Sequence, residues 1–144
     1  MKGKRGFTLI EIIIVLALIG LITGLTTTFF AHSLAKTGVT SAIGDVKTVL
    51  RYARSLARST GKTKVFTLDL DSNQYWIGGM KKASIPRSVR ITVADPFAGE
   101  IDSGTYRIFF YPAGNSPGAT ITLSYGERST RIYLDPIVGS VFLR

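Results

Sequence analysis

MKGKRGFTLIEIIIVLALIGLITGL, residues 1–25, is the stretch from which the rest of the fold is read. Lys2, Lys4 and Arg5 crowd its first six positions, and Glu11 is the only charged residue from Phe7 to Leu25. As a helix rising about 1.5 Å per residue, the apolar run spans ~28 Å against about 30 Å of hydrocarbon. It predicts one crossing of a bilayer. Cations ahead of the run hold the start of the chain at the cytoplasmic face and place the C-terminal bulk on the far side. A cleaved secretory peptide, ending at the small-x-small triplet Ala31, His32 and Ser33, shares this coarse pattern. The length of the run opposes it, and so does Glu11, whose carboxylate is costly inside a bilayer and needs a partner there.

Gly6-Phe7-Thr8-Leu9-Ile10-Glu11, with cations before the glycine and an apolar helix after it, resembles the type IV prepilin signature of pilins and type II secretion pseudopilins. The resemblance implies that a membrane-embedded aspartyl prepilin peptidase cuts between Gly6 and Phe7. The same enzyme would then methylate the new amine, leaving N-methylphenylalanine at position 7. A residue without Cβ suits the cleavage point, because the backbone can extend and approach catalytic groups closely. The resemblance also implies that Glu11 pairs with the terminal amine of a neighbouring subunit during assembly. The bland alternative is a carboxylate that snorkels to the headgroups.

Downstream, 144 residues allow one domain beyond the anchor. There is no cysteine, so disulfides and thiolate chemistry are excluded. Many pilins close their C-terminal region with a disulfide, so this chain departs from the major pilins. The formal charge is +9, from 18 Lys and Arg against 9 Asp and Glu; without Lys2, Lys4 and Arg5 it is +6. Gly20, Gly24 and Gly38 each weaken a helix by about 1 kcal/mol relative to alanine and predict a soft stretch. His32, the one histidine, falls near the water interface.

Val39, Ile43, Val46, Leu50, Ala53 and Ala57 recur at steps of three and four, the period of an amphipathic helix. One long helix from Phe7 to about Ser59 is expected, with glycine at 61 as its stop. Lys47, Arg51, Arg54 and Arg58 form a row roughly 90° from the apolar face at about 100° per residue. Such a row is by default solvated. Strands are expected at 65–70 and 74–77 around a turn at 71–73, at 89–93, at 107–111 and 119–124 around the loop 112–118, and at 130–134 and 138–143. The expected class is α+β: a long N-terminal helix, transmembrane in its first half and amphipathic in its second, packed on a C-terminal antiparallel β-sheet head. The divisions are a leader at 1–6, a transmembrane helix half at 7–31 and a periplasmic globular domain at 32–144. That domain comprises the amphipathic helix 39–59 and sheets over 65–143.

Phe110-x-Pro112-x-Gly114-x-x-x-Gly118, residues 120–123, residues 131–134 and Gly139-x-Val141 resemble the C-terminal pattern of the GspH/FimT group of minor pseudopilins and pilins. The resemblance implies two small antiparallel sheets in the head. It also implies a structural subunit at or near the tip of a type II secretion pseudopilus. Its partners would be other pseudopilins or minor pilins, the prepilin peptidase and the inner membrane. The alternatives are a FimT-like minor pilin that binds DNA in natural transformation and a pilus-tip subunit without DNA affinity.

Arg128, Arg131 and Arg144 are candidate phosphate contacts for the DNA reading, with Lys47, Arg51, Arg54 and Arg58 as a second row. Lys81, Lys82, Arg87 and Arg90 form a further cluster around Pro86, and Tyr125 and Tyr133 lie near the C-terminal arginines. The charge is modest and the helix row can be covered by neighbouring subunits, so DNA is the less favoured partner. No catalytic residue, cofactor or metal is expected, since one histidine and no cysteine leave no His-based triad in the head and no Cys/His metal site. Asp95, Glu100 and Asp102 lack the spacing of an EF-hand and read as solvated loop acids.

Overall fold

The computed structural model describes residues 7–144, apart from the side chains of residues 25–39. The leader, His32 and the boundary between residues 31 and 32 lie outside the described side chains. The chain divides into two compact units, Met1–Thr37 and Gly38–Arg144. One helix, α1 (Leu9–Thr60), contributes to both.

In the first unit α1 starts immediately after Thr8, whose carbonyl accepts the Glu11 and Ile12 N–H groups and whose hydroxyl accepts the Glu11 N–H at 3.4 Å. Thr8 is the N-cap, and Glu11, three residues on, places negative charge in the first turn, where the helix dipole favours it. The large apolar side chains from Leu9 to Ile22 are all exposed. Consecutive positions point in every direction around a helix, so no single face accounts for them. Gly20 and Gly24 lie within α1 rather than interrupting it. The backbone ladder outweighs a local cost of about 1 kcal/mol per glycine. Among the described residues no helix is long and apolar enough to cross a membrane. The described side chains of this stretch end at Gly24, short of the expected span.

In the second unit α1 buries Ala42, Val46, Leu50, Ala53 and Ala57 in the hydrophobic core. The sequence places Ile43 in that seam, but Ala42 takes the position. Ile43 and Val49 flank the core and are only partly covered. The helix ends at Thr60, and Gly61 turns the chain at φ 61°, the left-handed geometry that favours glycine.

Nine strands follow: β1 (Lys64–Asp69), β2 (Gln74–Ile77), β3 (Ala83–Ser84), β4 (Arg90–Asp95), β5 (Gly99–Ile101), β6 (Thr105–Phe110), β7 (Ala119–Tyr125), β8 (Arg128–Leu134) and β9 (Val141–Leu143). They form two antiparallel sheets, in the orders β3-β2-β1-β6 and β5-β4-β7-β8-β9. The fold class is α+β. Phe66, Leu68, Ile108 and Phe110 of the first sheet and Val93, Ile121, Ile132 and Leu134 of the second join the helix seam in one core. Alternation puts every second residue inward, as in Ile91 and Val93 of β4 and Ile121 and Leu123 of β7.

Three details differ from the expected strands. The two-residue β3 and three-residue β5 are edge pieces too short to show a period. β8 begins at Arg128 rather than Thr130, because Arg128 pairs with Tyr125 across the tight turn. β9 begins at Val141 rather than Val138: the Val138 N–H bonds the Asp135 carboxylate at 3.0 Å in a turn, alongside that of Ile137 at 2.8 Å.

Candidate functional site

The described part of the opening motif is Phe7, Thr8 and Glu11. Phe7 precedes the first helical residue and is 80% exposed. Glu11 is exposed in the first turn of α1, three residues after the threonine cap. Gly6 lies outside the described residues. The cap is legible as Thr-x-x-Glu, a threonine followed by glutamate three residues later.

The basic row of α1 is not simply a solvated stripe. The Arg54 Nε–H donates to the Gly114 carbonyl at 3.0 Å, and an Arg51 Nη2–H donates to the Val141 carbonyl at 3.1 Å. The Arg58 stem lies against Gly114, where a Cβ would sit 2.8 Å from Arg58 Cδ. At Gly139 a Cβ would fall 2.0 Å from the Gly114 carbonyl oxygen. Gly114 and Gly139 also hold φ of 90° and 63°. The glycines of the C-terminal pattern therefore let two loops, 112–118 and 135–140, meet beneath the helix arginines. Within the first loop Asn115 Oδ1 and Ser116 Oγ are buried without a hydrogen-bond partner, while the Tyr111 N–H bonds the Asn115 carbonyl and the Gly114 N–H the Tyr111 carbonyl.

The C-terminal arginines separate. Arg131 exchanges two backbone hydrogen bonds with Arg144, at 3.0 and 2.8 Å, and Tyr133 stands opposite Phe142 in the register. These four residues are exposed while Ile132 and Leu134 are buried, so they occupy the outer face of the second sheet. Arg128 belongs to the alternate set of β8 positions, at the hairpin-turn end of the strand. Tyr125 is half-buried against the core, so it is a packing residue rather than an open platform. The cluster around Pro86 also disperses. Lys82 Nζ sits 4.4 Å from the centre of the Trp76 ring, and Arg90 shares an open concavity with Thr92, Glu100 and Asp102.

Among the acids, Asp95 is committed to structure. Its carboxylate accepts the Tyr106 hydroxyl and the N–H groups of Phe97 and Ala98. The Tyr106 bond foremost, then the amides, hold Asp95 below the ordinary carboxylate value. Burial, and then Asp95, push the Tyr106 hydroxyl well above its ordinary value. Asp69 is lowered by hydrogen bonds from Ser72 in the β1–β2 turn.

Residues 1–27 match the family described as the prokaryotic N-terminal methylation motif. Over 142 residues the chain is 29% identical to the type II secretion system protein H of Xanthomonas campestris pv. campestris, covering 97% of this chain and 83% of that protein. The chain is similar to type IV pilin-like proteins. It is also 37% identical over 78 residues to a fimbrial protein of Pseudomonas aeruginosa, which is 54% of this chain and spans about half (50%) of that relative's length. The fold is similar to the crystal structure of the type IV minor pilin FimU of Pseudomonas aeruginosa. That match has a TM-score of 0.56 and 17% identity, over 76% of this chain and 90% of that one. Two features are seen in three dimensions: Thr8 caps the start of α1, and Arg51 and Arg54, expected as a solvated row or DNA contacts, bond the C-terminal loops.

Proposed function

We propose that the chain is a minor pseudopilin, a structural, non-enzymatic subunit at or near the tip of a type II secretion pseudopilus. Cleavage between Gly6 and Phe7 by a prepilin peptidase and methylation of Phe7 prepare it for assembly. Residues 7–31 anchor it once in the inner membrane, and residues 32–144 form the periplasmic domain. Its partners are other pseudopilins, met in part through Glu11 and the terminal amine of a neighbouring subunit. The observation that carries this reading is the similarity to a type II secretion system protein H along nearly the whole chain. Motif similarity alone would cover only the anchor.

The test is loss of the chain in its own cell. Secretion of exported enzymes should fall and recover on complementation, while DNA uptake and pilus-dependent motility stay unchanged; the opposite pattern would sink the assignment. Intact mass of the membrane-extracted protein should correspond to a chain beginning at a methylated Phe7.

A second reading, a FimT-like minor pilin that binds DNA, has one observation in its favour: Arg131 and Arg144 lie side by side with Tyr133 and Phe142 on an exposed sheet face. Phosphate contacts of this kind give salt-sensitive, non-specific binding in the range of about 10⁻⁴ to 10⁻⁶ M. Submicromolar binding at physiological salt, abolished by neutralising Arg131 and Arg144, would make DNA uptake the better reading. A pilus-tip subunit without DNA affinity would leave both secretion and DNA binding unaffected by the same variants.

A further inference from the structure

Arg51, Arg54 and Arg58, with Ser55 and Ser59 beside them, line an open groove of about 390 Å³. Among the described residues no carboxylate pairs with these three guanidiniums. Asp69, Asp95 and Asp135 accept N–H groups of their own turns, and Asp71 accepts the Gly104 N–H. Four acids of the head are thus engaged elsewhere. The arginines are held in place before any ligand arrives, two by backbone carbonyls and one by its stem on Gly114. Each guanidinium has five N–H donors, so Arg51 and Arg54 keep most of theirs for a planar, two-oxygen acceptor.

We propose that this groove docks an acidic peptide segment of a neighbouring filament subunit, whose carboxylates take the forks of Arg51, Arg54 and Arg58. The proposal rests on the filament reading above. Arg51 to Arg58 covers about 10 Å of helix. A segment with acids at successive helical turns, or at alternate strand positions, meets all three. No aromatic ring lines the groove to stack an unpaired base, so single-stranded nucleic acid fits poorly, and a duplex DNA titration separates carboxylates from phosphates. The exposed rings Tyr133 and Phe142 stand instead with Arg131 and Arg144 on the sheet face.

The experiment titrates full-length protein in detergent micelles with a fluorescent oligoglutamate peptide and, in parallel, with mixed-sequence duplex DNA, read by anisotropy. Peptide binding should be saturable and fall about tenfold in Arg58→Glu, a charge reversal that leaves both loop hydrogen bonds in place. Ser55→Glu, on the exposed helix surface, should weaken it similarly, whereas Lys62→Glu, beyond the helix end, should have little effect. DNA titrations should respond less to Arg58→Glu than the peptide titration does. Unchanged peptide binding in both groove variants would overturn the proposal. So would an equal loss of peptide and DNA binding, which would make the groove a phosphate site. Glu11→Leu separates the two readings: it should lower co-purification with partner subunits and leave the peptide titration untouched. Normal assembly of that variant would count against pairing by Glu11 while the groove stands or falls on its own titration.

Discussion

Residues 9–22 and residues 42–57 belong to the same helix and are both rich in aliphatic side chains, yet only the second set is covered by its own chain. Leu9, Leu16 and Ile22 are 79%, 63% and 62% exposed, whereas Val46, Leu50 and Ala53 are 0% exposed. The difference lies in periodicity rather than hydrophobicity. Apolar residues at every position leave a helix with no polar side, so covering it takes an apolar phase or other helices all round. Apolar residues at steps of three and four give one seam, which two sheets close. The first segment is built for surroundings outside the chain, and the second supplies its own.

The largest effect that would break this contrast is in the core. Phe66→Ala should lower the unfolding free energy by about 3–5 kcal/mol, since it empties a fully buried site. Leu16→Ala should change head unfolding by less than about 0.5 kcal/mol. Denaturant titration of both variants in the same detergent checks this, and comparable losses would show that the two segments are not energetically separate.

Glycine sharpens the contrast because one substitution takes opposite signs. Gly139→Ala should cost at least ~2 kcal/mol, since its Cβ meets the Gly114 carbonyl oxygen at 2.0 Å and its φ is 63°. Gly20→Ala meets nothing within 4 Å and should raise helicity, by about 1 kcal/mol at that position. Thermal melts followed by circular dichroism should move down for the first and up or nowhere for the second. Thr8→Ala comes next. Removing the cap should cost the start of α1 about 1 kcal/mol. The loss should appear as faster amide exchange in the first turn, with the head unaffected.

Local signals carried much of this from the sequence. The helix stop at Gly61, the turn after Asp69 and the alternation of β4 and β7 each depend on residues within a few positions of one another. The roles of the helix arginines could not be read in this way. Arg54 and Gly114 are 60 positions apart and Arg51 and Val141 are 90 apart, so nothing in a local window distinguishes a solvated row from one that holds loops. Val138 misled for the reverse reason: a β-branched residue reads as the start of a strand, but Asp135 captures its N–H in a turn. The C-terminal glycines were visible as a pattern, and their cause, a contact between two loops, became visible only in three dimensions.

The smallest effect concerns a polar tie within the head. Asp95 accepts the Tyr106 hydroxyl across from β6 and the amides of its own hairpin. Its folded pKa lies below the ordinary 3.8, chiefly through Tyr106, so this contribution is present above that value and fades as pH falls through the folded pKa. Tyr106 has the opposite sign. Its folded pKa is raised above 10.0, so its contribution is complete below that value and is lost as pH climbs towards the folded pKa. Tyr106→Phe should cost about 1 kcal/mol at neutral pH. The gap between wild type and variant should narrow in acid, as Asp95 takes up its proton, and narrow again in strong alkali. Urea midpoints measured across the pH range test this directly. A gap that stays constant into acid would mean that the hydroxyl does not depend on the charged carboxylate, and that Tyr106 contributes through packing alone.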